Sequence, residues 1–145
     1  MIQRKQTLFL LLAALAGAGT WFSNLWRAHL VNDTYRYFNG QSSYVYFVLM
    51  TAAVLAALVS IFLFKNRRLQ LRISLLDLLL CLGIIALQYL QIRQLTATLT
   101  EQRLFDSATY LPAAFLPVLM VLFLSLAARG IYKDEKLVRS LNRLR

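Results

Sequence analysis

Apolar residues fill four long stretches of the chain, and polar residues gather in the shorter segments between them. The stretches cover residues 7–26, 44–64, 73–92 and 109–128. Each is about the 20 residues that an α-helix needs to cross about 30 Å of hydrocarbon. They are apolar on all sides, whereas a helix of a soluble protein carries a polar face. The pattern predicts an all-α integral membrane four-helix bundle, formed by residues 1–145 as a single domain.

Basic residues alternate with these predicted spans. The chain has 16 Lys and Arg against six Asp and Glu, and its formal net charge is +10. Twelve of the 16 lie before the first span, between the second and third, or in residues 129–145. Cytoplasmic loops of membrane proteins are enriched in Lys and Arg, so this positive-inside distribution predicts that both termini are cytoplasmic. A nucleic-acid-binding protein would gather its charge on one folded face, and we expect no nucleic-acid partner.

The first stretch allows two interpretations. Arg4 and Lys5, a leucine-rich run and the small residues 16–18 match the three regions of a secretory signal peptide. However, apolar residues continue through Trp26, which favours an uncleaved transmembrane helix. Ala13 and Gly17 are one helical turn apart and would let a neighbouring helix approach closely.

A thin polar stripe runs along the third predicted span. A carboxylate inside a membrane is costly and is usually paired, so Asp77 is a candidate functional residue. Either it hydrogen-bonds to a neighbouring helix, with Ser60, Lys65, Ser125 and Arg129 as possible partners, or it takes part in ion or proton movement. At helical spacing the stripe comprises Asp77, Cys81, Gln88 and Gln91.

The other features favour structural roles. Aromatic residues in and around loop 27–43 predict a belt at the outer membrane interface, and residues 93–107 predict an amphipathic extension of the third helix. Pro117, about two turns into the fourth predicted helix, predicts a kink. His29 has no second ligand at metal-binding spacing. Because no catalytic motif is present, we expect no enzymatic activity, metal or cofactor.

The final residues predict a short cytoplasmic amphipathic helix. Leu137, Leu141 and Leu144 would form its apolar face, and most of the basic residues would lie around the remainder. Such a helix suits the anionic inner leaflet and could also hold a membrane or cytoplasmic protein partner. The basic residues expected to contact lipid or a partner are Lys133, Lys136, Arg139, Arg143 and Arg145.

Three short segments carry a family resemblance. Residues 1–7 (MIQRKQT), 66–70 (NRRLQ) and 133–145 (KDEKLVRSLNRLR) resemble an uncharacterised family of small four-helix inner-membrane proteins from Bacteroidota. The resemblance implies a multi-pass protein of the bacterial inner (cytoplasmic) membrane. It implies no catalytic residue, because the family is a domain of unknown function.

Two functions are compatible with these features. The first is a non-enzymatic scaffold or accessory subunit, which predicts a packed bundle with Asp77 paired. The second is a small transporter or channel, which predicts a polar path along the third span and a water-accessible cavity reaching Gln88.

Overall fold

Four α-helices make up most of the protein in a computed structural model. The structure describes the backbone of residues 2–142 and the side chains of residues 5–138. The helices are α1 (Ile2–Phe22), α2 (Tyr44–Phe62), α3 (Arg67–Glu101) and α4 (Leu116–Asn142). Helix α1 packs against α2 and α4, and α3 packs against the same two helices. Each helix therefore buries one side against its neighbours and leaves the other outside.

Three of these helices are long and apolar enough to cross a membrane. They are the segments Tyr44–Lys65, Arg67–Glu101 and Pro112–Val138, judged over the described residues. About a third or less of each apolar window is buried within the protein. Large apolar side chains such as Leu76, Leu79 and Val59 point outward, which is the expected arrangement for helices surrounded by lipid rather than water.

Local capping explains where α2 and α3 begin and where α3 ends. The Ser43 side chain accepts a hydrogen bond from the Tyr46 N–H, and the Asn66 side chain accepts one from the Leu69 N–H. At the other end of α3, Arg103 adopts a left-handed backbone conformation with φ 55°. The N–H groups of Arg103 and Leu104 then bond to the Thr100 and Leu99 carbonyls, which closes the last helical turn.

A small antiparallel sheet stands at one end of the helices. Its strands are β1 (Asn24–Leu30), β2 (Tyr35–Asn39) and β3 (Phe105–Tyr110), in the order β2-β1-β3. On the central strand, Trp26, Ala28 and Leu30 are buried, and they belong to the same apolar cluster as Ile92 and Leu99 of α3. Apolar side chains of β1 and α3 thus share one cluster, and β3 contacts α3 directly.

The helices of the structure and the stretches predicted from the sequence differ in their bounds. The third predicted span, 73–92, is the middle of the longer α3, and the predicted amphipathic extension ends at Glu101. The fourth, 109–128, begins with the end of β3 and a short 3-10 turn at Pro112–Phe115. Pro117 is therefore the second residue of α4, where its missing N–H breaks no hydrogen bond within the helix.

The closest helix packing occurs where α1 meets α2 and α4. Ala13 and Gly17 of α1 are buried, and so are Ala53 and Ala57 of α2. A Cβ built on Gly17 would lie 2.6 Å from Val54 Cγ2 and 2.9 Å from Met120 Sδ. These small residues thus serve contacts within the chain, and they are not free to receive a partner helix.

We expect Gly17→Ala to lower the free energy of unfolding by about 1–3 kcal/mol, because the added methyl group overpacks this junction and Val54 is stiff at χ1. The matched control is Gly83→Ala on α3, where a Cβ meets no atom within 4 Å. The control should raise stability by about 0.5–1 kcal/mol, since alanine is the better helix former. Denaturant unfolding in detergent measures both. Equal effects of the two variants would contradict this packing.

Candidate functional site

The polar stripe predicted on the third span faces the interior of the bundle. Gln70, Ser74, Asp77, Cys81 and Gln88 are all buried along one side of α3. Gln91, further along the same side toward the sheet, is half-buried. Buried polar groups in folded proteins are usually hydrogen-bonded, so the role of each side chain in the stripe depends on its hydrogen-bond partner.

Asp77 does not form the predicted bond to another helix. Its side chain is 2% exposed, and Oδ1 accepts a weak hydrogen bond from Cys81 Sγ on the same helix at 3.9 Å. Among the described side chains, Asp77 Oδ2 has no hydrogen-bond partner, and neither do the buried hydroxyls of Ser60 and Ser74. Ser125 instead donates to the Leu122 carbonyl on its own helix. The region around Asp77 and Ser74 is consequently the least satisfied part of the stripe.

The part of the stripe nearest the sheet joins three elements. Gln88 accepts a hydrogen bond from the Tyr46 hydroxyl of α2 at 3.3 Å and donates one to the Ala114 carbonyl at 3.3 Å. Gln91 donates to Ser43 Oγ, the capping residue of α2, at 2.6 Å. These two glutamines connect α3 to its neighbours, which is a positioning role.

A second buried polar group lies at the opposite end of the helices. Asp134 of α4 is 5% exposed and accepts a hydrogen bond from Gln6 Nε2 of α1 at 2.7 Å. The Arg67 guanidinium, at the start of α3, lies 3.3 Å from the same carboxylate oxygen. Gly130 makes room for this contact, because a Cβ there would lie 2.8 Å from Gln6 Cγ. One carboxylate thus joins the ends of three helices.

The segment after Ala128 is the last part of α4, not a separate amphipathic helix. Ile131 and Asp134 face inward, whereas Leu137, predicted to lie on the apolar contact face, is 56% exposed. Lys133 and Lys136 are exposed on the outward side. Arg139 lies within α4, but its side chain is outside the described residues, as are Arg143 and Arg145 entirely.

The aromatic residues in and around loop 27–43 lie in two environments, the protein interior and the surface of the sheet. Trp26, Phe38 and Tyr46 are buried, and the Phe38 and Tyr46 rings meet edge to face at 6.0 Å. Tyr35 and Tyr37 are about half exposed on β2. Alternating apolar and polar residues in β1 and β2 were the available strand signal. The pairing of β1 with β3 had no such signal.

His29 connects two strands and a turn on the surface of this sheet. Its Nδ1 lies 2.9 Å from Asp106 Oδ2 of β3, and its Nε2 lies 2.9 Å from Asp33 Oδ1 in the β1–β2 turn. Neutral imidazole donates only one hydrogen bond, whereas imidazolium donates two. The bond to Asp106, followed by that to Asp33, raises the pKa of His29 above its ordinary 6.5. Among residues 5–138, no group of three His, Cys, Asp or Glu side chains is arranged to hold a metal.

A groove runs along α3 from the sheet into the helical region. Its wider part, about 810 Å³, lies between strands β1 and β3 and the end of α3 that leads to β3. Its walls include Trp26, Arg93 and Glu101. Its narrower part, about 340 Å³, lies between α3 and the start of α4, with Gln88 and Phe115 in its walls. Tyr89, Ile92 and Tyr110 line both parts, so the two adjoin.

Comparison with known proteins gives one match. The family model described as "Domain of unknown function (DUF4293)" matches residues 2–144. No curated protein and no solved structure matches the chain. The comparisons therefore supply no residue role beyond those derived from the geometry.

We expect the His29 contacts to make thermal stability depend on pH. The folded state holds the proton more tightly than the unfolded state, so the stabilisation is complete below pH 6.5 and is lost as pH rises through the raised pKa. The melting temperature in detergent should therefore fall between pH 5.5 and 8.5.

The control for this prediction is His29→Gln, which retains hydrogen-bonding groups but does not titrate in that range. It should melt below the wild type at pH 5.5 and show a smaller change with pH. An unchanged pH profile in the variant would assign the dependence to other groups.

Proposed function

Because the chain belongs to the DUF4293 family, a domain of unknown function, we propose a role from its own geometry: a non-enzymatic scaffold or accessory subunit. We place it in the bacterial inner membrane as a multi-pass protein with both termini in the cytoplasm. The charge distribution supports this orientation, since the ends of α2 and α4 and the start of α3 carry most of the basic residues.

The observation that carries the scaffold proposal is the anchoring of the end of α4. Asp134 is held by Gln6 and Arg67, and Glu135 lies 3.4 Å from the Arg68 guanidinium. With these acidic residues turned inward, Lys133 and Lys136 are exposed on a fixed helical surface. A rigid basic surface suits the anionic inner leaflet and an acidic partner protein held against it.

Retention of α1 follows from the same contacts. Cleavage after Ala18 would remove Gln6, which bonds to Asp134, and Gly17, which permits the close packing with Val54 and Met120. We therefore propose that α1 is an uncleaved part of the mature protein.

We expect a photo-cross-linking residue at Lys136 to give a discrete protein adduct in cells. The matched control is the same residue at Leu79, which is 63% exposed on the apolar surface of α3 and should cross-link mainly to lipid. Replacing Lys133 with Gln should weaken the Lys136 adduct, because it removes charge without touching the Asp134 contacts. Identical adducts from the two positions, or none from Lys136, would contradict the scaffold proposal.

A small transporter or channel is the alternative, and two observations favour it. The groove reaches Gln88, and Asp77 Oδ2 and the Ser60 and Ser74 hydroxyls lack partners among the described residues. The narrower part of the groove, however, is lined almost wholly by apolar groups such as Ile85, Phe115 and Val118. Such a lining suits lipid or packed side chains better than a hydrated ion.

The native thiol can separate these alternatives, because Cys81 is the only cysteine in the chain and is 1% exposed. A membrane-impermeant thiosulfonate should leave Cys81 unlabelled on intact and on opened membranes. In a Cys81→Ala background, Gln41→Cys should label from outside intact cells, and Lys136→Cys only after the membrane is opened.

Labelling of native Cys81 as fast as Gln41→Cys would support a water-filled path and overturn the packed-bundle interpretation. Labelling of Lys136→Cys in intact cells would overturn the proposed orientation. The two outcomes are independent of each other.

A further inference from the structure

The lining of the groove along α3 changes from apolar to more polar at the point where the helix leaves the hydrocarbon. Between Arg72 and Arg93, residues 73–92 contain one charged residue, Asp77. These residues span about 30 Å of helix, which matches the hydrocarbon thickness. Arg93 therefore lies at headgroup level on the sheet side. Ile85, on the wall of the lower groove, lies about 12 Å deeper.

The wider, upper part of the groove has the chemistry of a headgroup site. Its walls carry one cation, Arg93, and one carboxylate, Glu101, together with the hydroxyl-bearing residues Thr96 and Thr100. Arg93 is exposed, and no ion pair joins it to a described carboxylate. A guanidinium in this position can bind a phosphate diester with charge-assisted hydrogen bonds.

The narrower, lower part has the chemistry of an acyl-chain site. It is lined by Ile85, Phe115 and Val118, and the one polar side chain, Gln88, already bonds to Tyr46 and Ala114. Phe115 is 61% exposed and Val118 47% exposed, so the slot opens sideways toward the lipid. Tyr89 and Tyr110 mark the boundary between the two parts, as tyrosines do at membrane interfaces.

We propose that this groove binds a single membrane phospholipid with a zwitterionic, amine-bearing headgroup. The phosphate pairs with Arg93, and one acyl chain lies in the slot between α3 and α4. Glu101 is the one carboxylate in the same walls. A carboxylate attracts the ammonium of phosphatidylethanolamine and repels an anionic headgroup. This lipid site is independent of the partner role proposed for the basic end of α4.

The test is native mass spectrometry of the full chain in detergent, with phosphatidylethanolamine, phosphatidylglycerol and diacylglycerol of identical acyl chains as probes. Wild type should retain one phosphatidylethanolamine and bind it more tightly than the other two. Arg93→Gln should weaken that binding about tenfold, since a hydrogen bond to a charged group is lost. The matched control, Arg72→Gln, removes the same charge at the other end of the membrane-embedded part of α3 and should have no effect.

A second pair of variants tests the acyl slot. Val118→Trp should fill the slot and reduce binding of phosphatidylethanolamine and diacylglycerol alike. Leu79→Trp, which adds the same bulk to an exposed position outside the groove walls, should leave both unchanged. Melting temperatures of the apo variants verify that each is folded.

Three outcomes would overturn the proposal. Equal weakening by Arg93→Gln and Arg72→Gln would show nonspecific charge attraction. Equal binding of phosphatidylglycerol and phosphatidylethanolamine would refute the assigned headgroup. A protein dimer that disappears in Val118→Trp but persists in Leu79→Trp would identify a second copy of the chain, instead of lipid, as the occupant.

Discussion

The length of α3 relative to a membrane is the constraint on which the rest of the structure depends. At 35 residues the helix is about 52 Å long, roughly 20 Å more than the hydrocarbon thickness. The surplus at one end presents Leu99, which belongs to the same apolar cluster as the buried side chains of β1. The surplus at the other end places Arg67 beside Asp134 of α4. The sheet, the groove and the anchored end of α4 all rest on these two extensions.

Buried polar groups divide the interior into satisfied and unsatisfied regions. Gln88 and Asp134 each join two or more elements, and removing such a hub leaves its partners unpaired at a cost of about 1–3 kcal/mol for each buried group. Between these hubs lies the Asp77 region, where one carboxylate oxygen and the Ser60 and Ser74 hydroxyls have no partner among the described residues. The scaffold proposal requires this middle region to be packed, whereas the transporter proposal requires water to reach it. Labelling of Cys81, one turn from Asp77, distinguishes the two.

The sequence identified most candidate residues but not which residues contact one another in the folded protein. Helical spacing correctly placed Asp77, Cys81 and Gln88 on one buried face, because a 3.6-residue repeat is a local property. It could not identify Asp134 as the residue that joins the ends of α1, α3 and α4, since Gln6 is 128 residues away. Similarly, it could not identify Asp106 as a partner of His29, because Asp106 approaches the imidazole only when β3 pairs with β1. The groove has no local signal at all, since its walls come from α3, α4 and two strands.

Hydropathy by itself determined that the chain forms long apolar helices suited to a membrane, and the short motifs at its ends pointed to an uncharacterised family. Both depend only on composition and on the spacing of residues along the chain, and the hydrophobic effect acts directly on that pattern. Only the tertiary structure decided that the polar segments after α1 and α3 combine into one sheet and that α4 continues without a break to Asn142. It alone decided that the small residues of α1 face α2 and α4. These features depend on contacts between distant segments, whose energies no local pattern specifies.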